Sequence, residues 1–406
     1  MACGSGETFA FDSPAAAAAA LIAHLSPVGV EAVALASAAG RVLAQDVHAD
    51  RQSPAADVSA MDGFAVRESE IAAGEATIAG EVRIGCEPPT LARGQALRIV
   101  TGACIPPGCD AVLRVEDALV HDDRLRAAVS LKPGDNIRRG GENIGAGEVV
   151  IRAGARMTPG VMGALASFGV ATPTLHRRVK LGILITGDEV RPVGEASPRP
   201  WQLRDCNGHT LASMFGAAHW IDVLPPRHVV DDAAQIEQAA AGLLNACDAL
   251  FLTGGVSMGT RDFVPGVLKA LGANVIFHKL PQRPGKPVLG AIMPGGKLAL
   301  ALPGNPVSVM VTARRIGATV LAHLGGVRTP EPVTAIRLVD APTDPAPIWR
   351  FMPVSINEQG HGVIVRGKGS GDVVHAARAH GFVEVSPNTL PGGTAANMFP
   401  FIPWTL

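Results

Sequence analysis

Tyrosine is absent from this chain, and aromatic residues make up only 4% of its 406 positions; the sequence offers no physical account of the missing tyrosines. Charge of one sign is also missing. Lys and Arg number 35 against 36 Asp and Glu, so there is neither a broad basic field for nucleic acid nor an acidic tail, and any anion site must be local. No stretch approaches the ~18 to 20 consecutive apolar residues that cross a bilayer. The six cysteines (Cys3, Cys86, Cys104, Cys109, Cys206, Cys247) lack the short paired spacings of a zinc site and the density of a disulfide framework, which points to a reduced, cytoplasmic setting. The alanine run Ala15–Ala20 has no basic residue before it, so neither a secretory signal nor a transit peptide fits.

What is present describes a globular chain: 47% apolar residues against 17% charged, in a length that calls for roughly two to four domains. Ser13-Pro14 followed by Ala15–Leu25 predicts a capped helix. Between about Ala44 and Gly147 the texture turns to short β-type runs, Ala96–Thr101 and Ala111–Glu116 among them, broken by Pro-Pro, Pro-Gly and Gly-Gly. Thr158-Pro159 then opens a second helix, Met157–Phe168, so a helix flanks the β-rich insert on each side and the pair is expected to form one discontinuous layer.

From Val179 the chain alternates strand and helix: Val179–Thr186, His209–Phe215, Asp231–Leu244, Ala249–Thr253, then Lys297–Leu302 running through Pro303-Gly304-Asn305-Pro306 into a long helix from Val307 to about Leu324. This is the pattern of parallel βαβ units, whose ligands bind outside the C-terminal strand ends. Beyond Gly326 the β-like runs Val333–Val339, Phe351–Ile356 and Phe382–Val385 predict a separate small β domain.

Three strand ends carry unusual sequence: Thr186-Gly187-Asp188-Glu189, Thr253-Gly254-Gly255-Val256-Ser257 and Leu302-Pro303-Gly304-Asn305-Pro306-Val307-Ser308. Each alone reads as a turn, and Glu189 or Asp262 alone as a solvated carboxylate. Together, on one rim of one sheet, they describe a crevice where backbone N–H groups and a helix start meet an anion, a phosphate or an oxoanion. The stretch His278–Pro287 adds Lys279, Arg283 and Lys286 on a segment stiffened by prolines. A solvated basic loop is the plainer reading; held cations suit anion capture. Carboxylates beside such cations are then expected to serve a divalent metal, Mg²⁺ bridging phosphate oxygens.

These residues resemble a family. Ser59-Ala60-Met61-Asp62-Gly63-Phe64-Ala65-Val66, Thr101-Gly102-Ala103, Arg139-Gly140-Gly141-Glu142-Asn143-Ile144, Thr186–Glu189, Gly254–Ser257, Pro284-Gly285-Lys286-Pro287 and Leu302–Ser308 are together similar to the MoeA family of molybdopterin molybdenumtransferases, related to the gephyrin E domain, over a span from about Phe11 to the C-terminal β segment. The resemblance implies an α/β multidomain fold. Its parts would be a discontinuous helical layer (1–45 with 147–178), a β-rich lid (46–146), a MogA-like α/β domain with a parallel-type sheet (179–326) and a C-terminal β barrel (327–406).

The activity implied is insertion of molybdate into adenylylated molybdopterin, with Mg²⁺, releasing molybdenum cofactor and AMP. The resemblance gives Glu189, Asp231, Asp262, Asp62 and Thr101 catalytic roles, with Glu189 and Asp262 facing the metal. Binding falls to Gly254, Gly255, Ser257, Lys279, Arg283, Lys286, Pro303, Gly304, Asn305, Ser308 and Ser370. It further implies a cytoplasmic homodimer in which Asp62 and Thr101 reach the partner chain's α/β domain, and protein partners of the MogA-type adenylyltransferase or molybdoenzyme kind. The chain departs from the family at Asn143 (usually Asp), Cys206 (usually Ser or Thr), Arg283 (usually Lys) and Pro353, where an arginine is expected and Arg350 stands nearby. Two other readings stay open: an enzyme that adenylylates molybdopterin, which would not require the lid and tail, and a non-catalytic pterin-binding scaffold.

Overall fold

A computed structural model describes residues 8–256, 262–329, 331–332, 334–389 and 397–406. The chain divides into two compact units. One takes the described residues up to Gln45, Ala153–Met162 and Thr172–Leu406; the other takes Asp46–Arg152 and Gly163–Ala171, the division falling within the helix Pro159–Ser167. No helix among the described residues is long and apolar enough to cross a membrane.

The inserted unit is built on a six-stranded sheet in the order Ala111–Arg114, Gly63–Val66, Gln95–Ile99, Ala76–Glu81, Arg124–Ala127, Ala118–His121. Side chains alternate across a strand. Phe64 and Val66 accordingly enter one apolar cluster, with Ile71 and Leu113, while Ala65 enters another on the opposite face, with Leu91 and Leu97. Both faces are thus covered, although each strand is short.

The larger unit is built around a seven-stranded sheet. Its order is Ile221–Val223, Val179–Thr186, Ala249–Thr253, Lys297–Leu302, Leu289–Met293, Asn274–His278, with Arg227–Val229 beside the far half of Val179–Thr186. The strands from Ile221–Val223 to Lys297–Leu302 pair in parallel. Leu289–Met293, however, is antiparallel to both of its neighbours, so the sheet is mixed and the expected parallel-type sheet is corrected to that extent. The reason is the connection: Pro294-Gly295-Gly296 turns Leu289–Met293 straight back into Lys297–Leu302, and so short a turn joins only antiparallel strands.

Near-continuous apolar strands are what a sheet buried on both faces requires. Ile183, Ile185, Phe251, Leu298, Leu300 and Leu302 face one core with Leu211, Phe215 and Ile316. Leu184, Leu250, Leu252, Ala299 and Ala301 face the other with Ile236, Leu243, Val264 and Leu268. The helix Pro14–Ile22, capped by Ser13, whose hydroxyl accepts the Ala16 N–H at 3.2 Å, buries Ala17, Ala18 and Leu21 in the first of these cores. The arms on either side of the insert are joined by a short antiparallel ladder, Val30–Ala32 with Thr174–His176.

The long helix after Asn305 is interrupted. Pro306–Thr312 and Ala318–Leu324 are α-helical, with a wider π turn at Ala313–Gly317 between them. On that turn Arg314 bonds the Pro403 carbonyl at 2.7 Å and pairs with Glu331, and Arg315 pairs with Glu384 at 2.5 Å, so the helix is tied to the C-terminal strands. Val307 and Val311 share an apolar cluster with Phe351, Ala376 and Phe382.

The C-terminal sheet runs Trp349–Ile356, Gly381–Val385, Met398–Pro403, Thr334–Arg337, with Gly362–Ile364 on Trp349–Ile356 and a bridge from Leu338 to Gly362. The tail does not build it alone. Gln282–Arg283, read from sequence as a basic loop, is a short strand paired in parallel with Trp349-Arg350.

Candidate functional site

In the central sheet the pairings Ile185 to Thr253 and Thr253 to Leu302 bring the three strand ends level. The Thr186 hydroxyl bonds the Thr253 carbonyl at 3.3 Å across that rim. Gly254 follows at φ +90°, where a Cβ would lie 2.7 Å from the Thr186 carbonyl oxygen; backbone packing as well as any ligand therefore requires glycine there. A Cβ on Gly304 would stand 3.8 Å from the Gly254 Cα, so two glycine backbones face each other at the mouth.

Around this rim lies a cavity of about 670 Å³. Glu189, Gly254, Gly255, Asp262, Pro303, Gly304 and Asn305 line it, so the strand-end residues singled out in the sequence converge. Asp205, Cys206 and Asn207 line it too; the sequence marked them only as a departure from a family pattern, and their approach depends on the turn that precedes the helix Asn207–Gly216. Asn207 donates its amide to the Gly304 carbonyl at 2.8 Å, and Asp205 accepts the Gly208 N–H at 2.8 Å. Burial, with the Asp205 charge beside it, pushes the Cys206 thiol up, so at neutral pH it is a protonated thiol and not a nucleophilic thiolate. Ser257, also singled out, lies outside the described residues.

A second cavity, of about 760 Å³, shares Pro287, Pro303 and Asn305 with the first. It is lined by Arg283, Lys286, Ser308 and Ser370 as the sequence anticipated, and also by Arg350, Arg366 and the nine-tenths-buried His375. No aspartate or glutamate is among its described lining residues. Asn305 links the two cavities, its amide donating to the Ser370 hydroxyl at 3.1 Å while the Val307 N–H donates to the Ser370 carbonyl at 3.0 Å. Arg350 was marked in the sequence as the arginine standing near the position expected at Pro353, and it is the second residue of the strand Trp349–Ile356.

Other singled-out residues stand elsewhere. Lys279 lines neither cavity; it turns the chain at φ +75°, its N–H bonded to the Val288 carbonyl at 2.8 Å. Asp231 also lines neither, and exchanges hydrogen bonds with Asp188, one at 3.1 Å and one at 3.4 Å, steadying the loop that carries Glu189. In the inserted unit Asp62 accepts both the Thr101 N–H at 2.7 Å and the Thr101 hydroxyl at 2.8 Å, which hold its exposed carboxyl below the usual carboxylate range. Asp62 and Thr101 are therefore one hydrogen-bonded pair.

Among the described residues no three His, Cys, Asp or Glu side chains are placed to hold a metal ion by themselves. Glu189 and Asp262 still form a donor set of the right kind for Mg²⁺, which takes one or two carboxylates and completes its shell with water and substrate phosphate.

Residues 13–169 match the family model described as "MoeA N-terminal region (domain I and II)", and residues 182–323 match "Probable molybdopterin binding domain". The chain is 37% identical over 297 residues to the molybdopterin molybdenumtransferase of Synechococcus elongatus, covering 71% of this chain and 73% of that one. To the molybdopterin molybdenumtransferase of Bacillus subtilis it is 33% identical over 395 residues, covering 92% and 89%. The fold is that of the molybdopterin biosynthesis moeA protein from Pyrococcus horikoshii OT3, with a TM-score of 0.81 at 24% identity over 97% of this chain and 98% of that one. The chain therefore belongs to the molybdopterin molybdenumtransferase family, the transferases of molybdenum cofactor biosynthesis.

Proposed function

We propose that the enzyme takes adenylylated molybdopterin and molybdate, cleaves the phosphoanhydride with water, and releases AMP and molybdenum cofactor. The observation that carries this reading is the pair of adjoining cavities: one has glycine backbone and three carboxylates beside Arg204, the other has basic side chains and no carboxylate among its described lining residues, and they meet at Pro287, Pro303 and Asn305. A substrate with a phosphoanhydride at one end and a metal-accepting group at the other suits such a pair, the adenylyl side in the strand-end cavity and molybdate in the cationic one.

In this reading Gly254, Gly255 and Gly304 let the backbone approach the phosphates, and the Ser257 hydroxyl adds a donor. Glu189 and Asp262 hold Mg²⁺, which when bound neutralises charge on the phosphoanhydride. Asp231 acts through the Asp188 loop that carries Glu189. Arg283, Lys286, Ser308 and Ser370 receive the oxoanion, Pro303 and Asn305 shape the passage between the cavities, and Lys279 adds positive charge nearby. The chain works as a cytoplasmic homodimer of four-domain subunits, 1–45 with 147–178, 46–146, 179–326 and a C-terminal barrel at 327–406. Asp62 and Thr101 of one subunit serve the site of the other, with a MogA-type adenylyltransferase upstream and a molybdoenzyme downstream.

The test is AMP release from adenylylated molybdopterin on addition of molybdate and Mg²⁺. Mixing inactive Asp62→Ala with inactive Asp262→Ala protein restores roughly a quarter of wild-type activity if sites are shared across a dimer and act independently. No AMP release from the wild type sinks the reaction; no recovery after mass spectrometry has proved subunit exchange sinks the shared site.

A further inference from the structure

The loop between Glu189 and Asp205 holds apolar side chains in water beside the strand-end cavity. Val193, Trp201 and Leu203 are all exposed, Trp201 at 67% and Leu203 at 62%. The loop is nevertheless closely bonded. Val190-Arg191 pairs in parallel with Leu203-Arg204, the Leu203 N–H donates to the Glu189 carbonyl at 2.8 Å, and the Arg204 guanidinium donates to the Glu195 and Ala196 carbonyls at 2.8 and 3.1 Å. Trp201 itself stands in a turn closed twice over. The Gln202 N–H donates to the Arg199 carbonyl at 2.8 Å and the Arg199 N–H to the Gln202 Oε1 at 2.9 Å, with Pro200 in the position where its fixed φ favours such a turn. The exposure of Trp201 is thus set by a bonded turn.

A second observation comes from the cavity. Paired residues of adjacent strands share a face, and Val190 and Leu203, which are paired, both line the cavity. Trp201 is two residues from Leu203, so at most ~7 Å of chain separates it from the cavity wall. The glycine rim and the carboxylates suit phosphate and its metal, but none of the described lining residues is aromatic. The substrate proposed above carries two fused heteroaromatic ring systems, and such rings gain most from stacking on an aromatic face. Arg199 enlarges the flat surface on offer, its Cζ lying 5.6 Å from the centre of the Trp201 ring.

We infer that Trp201, with Leu203 beside it, is the stacking surface for a fused heteroaromatic ring of the substrate at the mouth of the strand-end cavity. This rests on the placement of the adenylyl group proposed above, and it names the side chain that recognises the ring. Adenine and the pterin share the required chemistry. The adenylyl placement favours adenine, and the test separates the two.

Isothermal titration of the full chain with AMP, with ribose 5-phosphate and with neopterin, for wild type, Trp201→Phe and Trp201→Ala, reads this directly. Trp201→Ala loses roughly tenfold in affinity for the ligand whose ring it stacks, and Trp201→Phe recovers most of the loss. Affinity for ribose 5-phosphate, which has the sugar and phosphate without the base, stays within about twofold. Loss for AMP identifies adenine; loss for neopterin identifies the pterin. Of the four tryptophans only Trp201 is exposed, so the stacked ligand should also quench the emission of the wild type and not that of Trp201→Phe. The ligand-free melting temperature should be the same in all three proteins, since an exposed side chain contributes little to stability. Wild-type affinity for AMP and neopterin in Trp201→Ala overturns the inference, even if turnover confirms the proposed reaction, and so does an equal loss for ribose 5-phosphate. If the wild type releases no AMP from the adenylylated pterin but AMP or neopterin binding still depends on Trp201, the reaction falls and the stacking surface stands.

Discussion

Two arginines of the larger unit make the sharpest contrast in the molecule. Arg177 donates to Asp248 from both ends of its fork, at 2.7 and 2.6 Å, and Asp248 also accepts the Lys180 N–H at 2.9 Å at the start of the central strand. Arg350, in the C-terminal sheet, has its Nε and Nη2 without a hydrogen-bond partner among the described residues and a second arginine opposite. A filled guanidinium is part of the frame; a bare one in a cavity without carboxylates is half of an interaction. The cavities repeat the contrast in part, since the strand-end one holds Glu189, Asp205 and Asp262 with Arg204, while its neighbour holds Arg283, Lys286, Arg350 and Arg366 and no carboxylate among its described lining residues.

If the cavities divide the chemistry as their charges suggest, substitutions in them should separate. Asp262→Ala is expected to lower AMP release by ~10²–10³, the usual result of removing one electrostatic group from a reacting centre, and to leave molybdate affinity unchanged. Turnover within a fewfold of wild type would remove Asp262 from the reaction; an equal loss of molybdate binding would merge the two cavities into one site. Lys286→Gln should do the converse, weakening molybdate affinity by roughly tenfold with AMP affinity kept. Calorimetry showing both affinities unchanged would make its proline-flanked segment structural only.

The smallest effect belongs to the frame. Asp248→Asn should cost about 1–2 kcal/mol in denaturant unfolding at neutral pH, the lower part of the range for charged hydrogen bonds because Arg177 is partly exposed. Burial alone would raise the Asp248 carboxyl, but the Arg177 and Lys180 hydrogen bonds outweigh it and hold it below its ordinary value. A carboxylate lowered in the folded state contributes stability above its unfolded pKa of ~4 and loses it as pH falls through the folded value. The gap between wild type and variant should therefore be constant from neutral pH down to about 5 and close in stronger acid. A gap unchanged at pH 2 would mean that the pair contributes through packing and not through charge.

Much of the frame was readable residue by residue. Val179–Thr186, Ala249–Thr253 and Lys297–Leu302 are strands over the spans their apolar runs predict, because a strand covered on both faces admits little else. Ser13 caps its helix as expected, and Asp232 caps Ala233–Ala246 by accepting the Gln235 N–H at 2.9 Å. The level strand ends followed from parallel pairing, and with them the company of Glu189, Gly254, Asp262 and Asn305.

Less was readable where meaning depends on a neighbour. Leu289–Met293 is as apolar as any parallel strand, and composition does not record the direction in which a buried strand runs. Gln282–Arg283 is two residues long, too short for any periodicity, and became a strand only by meeting Trp349-Arg350. Asp231 and Lys279 had the right chemistry in the right stretches, but sequence could not foresee that Asp231 would exchange hydrogen bonds with Asp188, or that the Lys279 backbone N–H would bond the Val288 carbonyl at a positive φ.

By itself, then, the sequence determined the buried strands, the helix caps, the glycine-bearing strand ends and the family, since each is written in local pattern or in motif. Only the tertiary structure decided which charges are answered and which are left open. The state of a charge depends on what lies within ~3 Å of it, and chain segments far apart in sequence set that distance, as the partners of Arg177 and Arg350 demonstrate.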